Sequence, residues 1–103
     1  MYLIHAQLAV RHGETLPAAL PEKICSQDVE PASVEYVVLH DEVPGVPVLG
    51  LFVAAADLGA AERAAELACL RVLAAAPSPA AWTVVRCEAG FVAEFYEWRI
   101  GDP

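Results

Sequence analysis

Three stretches of this 103-residue chain predict an α+β fold in the ferredoxin-like order βαββαβ, an antiparallel sheet with two helices on one face. The first ten residues alternate in hydropathy with the period of two that a strand imposes. A β-branched and aromatic run at Val34–His40 is followed by Pro44-Gly45 and a second apolar run, the pattern of a hairpin. From Leu58 to Ala75 the apolar residues recur at helical spacing. Residues 1–103 are read as one domain, because this length suits one core and leaves little for a second.

Each element has its own reason. In residues 1–10, Tyr2, Ile4, Ala6, Leu8 and Val10 point one way, while Leu3, His5, Gln7 and Ala9 point the other. Residues 16–33 are punctuated by Pro17, Pro21 and Pro31. Pro21 suits the first turn of a short helix running to about Gln27, since a helix start has no use for that N–H. Val46–Ala56 is apolar on both faces, as a central or doubly covered strand requires. Gly50 interrupts it and marks a bulge or a close approach.

Asp57 is placed to cap the long helix Leu58–Ala75, and Pro77 and Pro79 mark its end. Leu58, Ala61, Ala65, Ala68, Cys69, Val72 and Ala76 make one stripe of mostly small residues, suited to close packing on a sheet. Leu67 and Leu70 fall outside it, so either the first helix or a second subunit covers them. Trp82–Cys87 reads as a further strand. Phe91–Ile100, with Phe95, Tyr96 and Trp98, fits an extra C-terminal strand or a short helix.

Composition excludes several roles. The chain is 57% hydrophobic, which is enough for a core and too much for a disordered polymer. Asp57, Glu62, Arg63 and Glu66 break its richest apolar run, so no membrane span is expected. The first residues lack the basic start of a secretory signal, and a cytoplasmic location is expected. Fourteen acidic against six basic residues give a net charge of −8, which repels nucleic acid and anionic lipid alike. Cys25, Cys69 and Cys87 are odd in number and widely spaced, so buried reduced thiols are expected rather than disulfides or a zinc site.

One short motif carries chemistry. Leu8 to Thr15 ends in Arg11-His12-Gly13-Glu14-Thr15. It resembles the RHG signature of the histidine phosphatase (phosphoglycerate-mutase-like) superfamily, which also follows an N-terminal apolar strand. The resemblance implies His12 as the phosphorylated nucleophile and Arg11 as the phosphoryl-binding group. Neutral imidazole is a good nucleophile, and a guanidinium fork matches phosphate oxygens. The resemblance covers eight residues. The family's second histidine, usually followed by glycine, has no counterpart here, since His40 precedes Asp41. The alternative is a solvated polar loop after the first strand.

His5, His12 and His40, with Asp41 or Glu42, are of metal-ligating type, but no two histidines stand at a ligand spacing. In the expected fold, strand three separates His5 from His40. No metal and no cofactor are therefore expected. His40-Asp41-Glu42 at a hairpin end also offers an acid or base, or a merely solvated turn.

The functional expectation is a small non-enzymatic homodimeric module that binds a partner protein or a small apolar ligand. Leu67, Leu70, Phe95, Tyr96 and Trp98 are the candidate interface or ligand residues. Two alternatives stand beside it. One is a cofactor-free enzyme of the dimeric α+β-barrel kind using His5 or His40; the other is phosphoryl transfer through Arg11 and His12.

Overall fold

A computed structural model of the chain describes residues 1–40, 47–77 and 80–89. The elements run β1 (Tyr2–Val10), α1 (Leu20–Cys25), β2 (Ser33–His40), β3 (Val48–Ala54), α2 (Leu58–Ala75) and β4 (Trp82–Glu88). The four strands form one antiparallel sheet in the order β2-β3-β1-β4. This is an α+β fold with two helices. The Pro44-Gly45 turn and the segment Phe91–Ile100 lie outside the described residues.

The sheet has one packed face and one open face. On the packed face Ile4, Ala6 and Leu8 of β1 stand beside Leu49, Leu51 and Val53 of β3, all at 1% exposure or less. Leu20 and Ile24 of α1 and Ala61, Ala65, Ala68 and Cys69 of α2 close over them in one buried cluster. Among the described residues this core contains no polar or charged side chain. Burying each large aliphatic side chain is worth about 1.5–3 kcal/mol, so this one face supplies much of the fold's stability.

The helices begin and end where local chemistry directs. Asp57 Oδ1 accepts the Ala60 N–H at 2.8 Å, which satisfies one of the free donors of α2's first turn. At the other end Ala76 turns extended, as the residue before a proline prefers, and Pro77 follows. Helix α1 has only six residues and carries Pro21 in its first turn. Isolated helices this short are not stable, so Leu20 and Ile24, one turn apart and fully buried, hold it in place. The Ser26 hydroxyl and the Gln27 side-chain amide both donate to the Lys23 carbonyl at its end.

The stripe on α2 runs through Ala61, Ala64, Ala65, Ala68, Cys69 and Val72. Leu58, expected on that stripe, is 43% exposed, because it sits in the first turn, ahead of the buried part of the helix. Leu67 and Leu70 are 40% and 44% exposed, so α1 does not cover them.

Candidate functional site

The richest alanine stretches in the chain leave empty space at one end of the fold. A groove of about 600 Å³ opens where β2 begins, β3 ends and α2 starts. Val29, Pro31 and Ala32 line it from the approach to β2, and Ala54 to Ala56 from the end of β3. Helix α2 contributes Ala60, Ala64 and Leu67, which share a face at helical spacing. Small side chains at these positions let the backbones pack closely, yet they do not fill the space beyond. The volume falls in the range of pockets that hold small organic molecules.

Among the described residues, Arg63 is the one base lining this apolar groove, and Glu30 is the one acid. The guanidinium lies back along α2. A Cβ placed on Gly59 would meet Arg63 Nη1 at 3.2 Å, so the bare glycine leaves room for that position. A second cavity of about 290 Å³, between α1 and the end of α2, is lined by Leu20, Lys23, Val72 and Trp82, among others.

The open face of the sheet carries the other cluster of chemical interest. There Tyr36 packs on Phe52 with ring centres 5.9 Å apart, and Leu3 lies in register with Phe52. In the next row Val38, Gly50, His5 and Glu88 stand side by side across the four strands. The row after that is His40, Val48, Gln7 and Arg86. His40 thus lies diagonally across Gly50 from His5. Their rings meet edge to face with centres 6.3 Å apart.

This corrects the expectation that β3 would keep the two histidines from being neighbours. The physical reason is Gly50. A Cβ there would touch Leu3 Cδ1 at 3.5 Å, His40 Nε2 at 3.7 Å and His5 Cδ2 at 3.8 Å, so the rings close over the space a side chain would occupy. Gly50 is therefore a site of close approach; the irregularities in pairing fall elsewhere, between Val34 and Tyr36 and between Gln7 and Leu8.

Burial, and after it the neighbouring His40, holds the His5 imidazole below its ordinary pKa of 6.5, so it is neutral near pH 7. A cleft of about 20 Å³ beside His5, also lined by Arg86 and Glu88, has room for about one water. Arg86 and Glu88 pair at 3.6 Å on the surface, a contact worth little in water.

The Arg11-His12 motif falls in an exposed turn after β1, with Gly13 at φ +82°. The Arg11 side chain donates to the Ala80 carbonyl at 3.0 Å, and its backbone N–H donates to the Ala81 carbonyl. The turn is thereby tied to the start of β4. Neither Arg11 nor His12 lines any of the three cavities described above.

Of the candidate interface residues, Leu67 borders the large groove and Leu70 lies exposed one turn on. Phe95, Tyr96 and Trp98 lie outside the described residues. Among the described residues no group of three metal-ligating side chains converges. No helix among them is long and apolar enough to cross a membrane.

Two of the thiols are chemically quiet. Burial, then nearby Glu66, pushes Cys69 up to about 12. Burial, then Cys69 and the carboxylates of Glu66, Glu62 and Glu88, pushes Cys87 up to about 12 as well.

Compared with known families, curated proteins and solved structures, the chain matches none of them. The groove, Arg63 and the paired histidines are the features from which a function must be argued.

Proposed function

We propose that the chain is a small, non-enzymatic, ferredoxin-like homodimeric module that binds a small apolar ligand. The carrying observation is the groove of about 600 Å³, lined mainly by alanine, valine, proline and leucine, with Glu30, Ser33 and Arg63 as its polar members. Apolar ligands gain roughly 25 cal/mol for each Å² removed from water, and a preformed groove spares the cost of opening one. The element order and the strand order β2-β3-β1-β4 support the ferredoxin-like reading.

A second copy is the expected cover for the sheet's open face. Tyr36 and Val85 are 60% and 57% exposed there, and Leu3, Val38, Val48 and Phe52 are only partly buried. Packing two such faces is the sheet-to-sheet solution to an uncovered apolar surface. The enzyme readings have less support. The cleft beside His5 holds about one water, and the Arg11-His12 turn is solvated.

The test is titration with an amphiphilic fluorescent probe, an anilinonaphthalene sulfonate, whose aromatic rings report apolar sites. The account expects saturable binding that Ala60→Phe abolishes, because the added ring fills the groove. The backbone N–H of residue 60 would still reach Asp57, so the helix cap survives the substitution. Unchanged binding in a folded Ala60→Phe variant would remove the groove from consideration.

A further inference from the structure

We propose that the ligand of the groove is an amphiphilic monoanion, an apolar body ending in one carboxylate, and that Arg63 holds the carboxylate. This deepens the apolar-ligand reading and rests on it: the groove receives the body, and Arg63 selects the head. Helix spacing puts the two together. Ala60, Ala64 and Leu67 line the groove from α2, and Arg63 is one turn from both Ala60 and Leu67, on the same face. A wall of small and aliphatic side chains thus carries a base within it.

The guanidinium has donors to spare. Arg63 and Glu30 are both exposed, and among the described residues neither takes part in an ion pair; the surface pair is Arg86 with Glu88. A Cβ on Gly59 would lie 3.2 Å from Arg63 Nη1 and 3.6 Å from Asp57 Oδ1, so the guanidinium folds back toward the start of α2, in the neighbourhood of the Asp57 carboxylate. That oxygen already accepts the Ala60 N–H of the helix cap. A guanidinium carries five N–H donors, more than one neighbouring carboxylate engages.

Charge complementarity selects the head. The planar fork of a guanidinium matches the two oxygens of a carboxylate, and such two-point pairs are the stronger ones. The chain as a whole works against an anion, because 14 acidic and 6 basic residues leave it at −8. A preference for a carboxylate therefore has to come from a local base, and among the described residues Arg63 is the base on this lining. Glu30 enters from the approach to β2 and repels a second negative charge, which restricts the head to a monoanion. The groove of about 600 Å³ accepts a body the size of two fused rings or a medium alkyl chain.

The test uses the full chain and probes that share a naphthalene body and differ in the head: anionic naphthoate, neutral naphthamide and cationic naphthylmethylamine. Each is titrated by calorimetry at neutral pH and low salt. Naphthoate should bind tightest and the cation weakest, with naphthoate favoured over naphthamide by about fivefold, which is what a partly exposed charged pair supplies. Added salt should erode that preference. Arg63→Gln should bring the ratio of the naphthoate and naphthamide affinities close to one. Lys23→Gln, which removes the same charge beside the second cavity, should leave the ratio as in the wild type. Both side chains are exposed, and circular dichroism checks that each variant folds. A ratio that survives Arg63→Gln, one that is lost in Lys23→Gln alone, or a cation bound more tightly than the carboxylate overturns the proposal. Equal binding of naphthoate and naphthamide, abolished for both by Ala60→Phe, overturns the anionic head and leaves the groove reading standing. Saturable binding of none of the probes removes both.

Discussion

His5 and His40 touch edge to face at 6.3 Å although a whole strand runs between theirs, because the residue between them is Gly50. The contact is a consequence of one missing side chain. Its first consequence concerns stability. Alanine at position 50 would meet its neighbours at ordinary contact distances of 3.5–3.8 Å, so Gly50→Ala should fold with stability within about 1 kcal/mol of wild type. A valine adds two methyl groups where the rings now lie. Gly50→Val should cost about 1–3 kcal/mol by overpacking, read from urea unfolding midpoints. Equal stability of all three proteins would mean that the rings are not held together over this residue.

The two faces offered to a second copy can be told apart. If the open sheet face is the interface, Tyr36→Glu should convert a dimer to a monomer in sedimentation or light scattering, and Leu70→Glu should leave it dimeric. The opposite pattern would put the interface on α2. A monomer in the wild type removes the dimer altogether. Both side chains are more than two-fifths exposed, so neither substitution disturbs the core.

Much of this architecture can be read from the residues alone, and the reasons are local. Aspartate just before an alanine-rich periodic run is a strong cap signal, and Asp57 caps helix α2, which spans Leu58–Ala75 as its pattern demands. Strand β1 shows its alternation because one face is buried and the other open. The histidine pair was illegible for a different reason. His5 and His40 are 35 positions apart, and their meeting depends on the register of two strand pairings and on the absence of a Cβ in a third strand. Hydropathy fixes which face of the sheet a residue takes, but a slip of two residues between distant strands keeps every face unchanged, so the pattern alone does not say which residues stand opposite each other. The signal that could have found it was Gly50 itself, a glycine inside an otherwise apolar strand. The groove was hidden likewise, since alanine reads as core in any pattern and only the packed helix shows where alanines leave a space.

The cysteines give a prediction with a definite sign. Burial raises Cys69 and Cys87 from an ordinary 9.0 to about 12, so the folded state holds their protons more tightly than the unfolded state does. Their contribution to stability is fully present below pH 9.0 and is lost as pH rises from there toward about 12. Near pH 8 neither thiol should react with a disulfide reagent until the chain unfolds, whereas urea should release both. Rapid labelling of Cys69 in the native protein would contradict its burial.

The helix cap gives a calibration of the fold. Asp57→Ala removes the acceptor of the Ala60 N–H and should cost about 1 kcal/mol, measured by urea unfolding. Ile4→Ala, in the centre of the packed face, should cost about 2–5 kcal/mol by the same method. A larger loss at Asp57 than at Ile4 would reverse the assignment of core and surface.

The central claim is that the alanine-lined groove receives a small apolar ligand. Its most direct test is a set of amide chemical-shift changes recorded while an anilinonaphthalene sulfonate is titrated into the full chain. The account predicts shifts concentrated at Ala32, Ala55, Ala56, Ala60, Ala64 and Leu67, saturating together and absent in Ala60→Phe. Shifts confined to the open sheet face around Tyr36 and Phe52, or no saturable change anywhere, would contradict it.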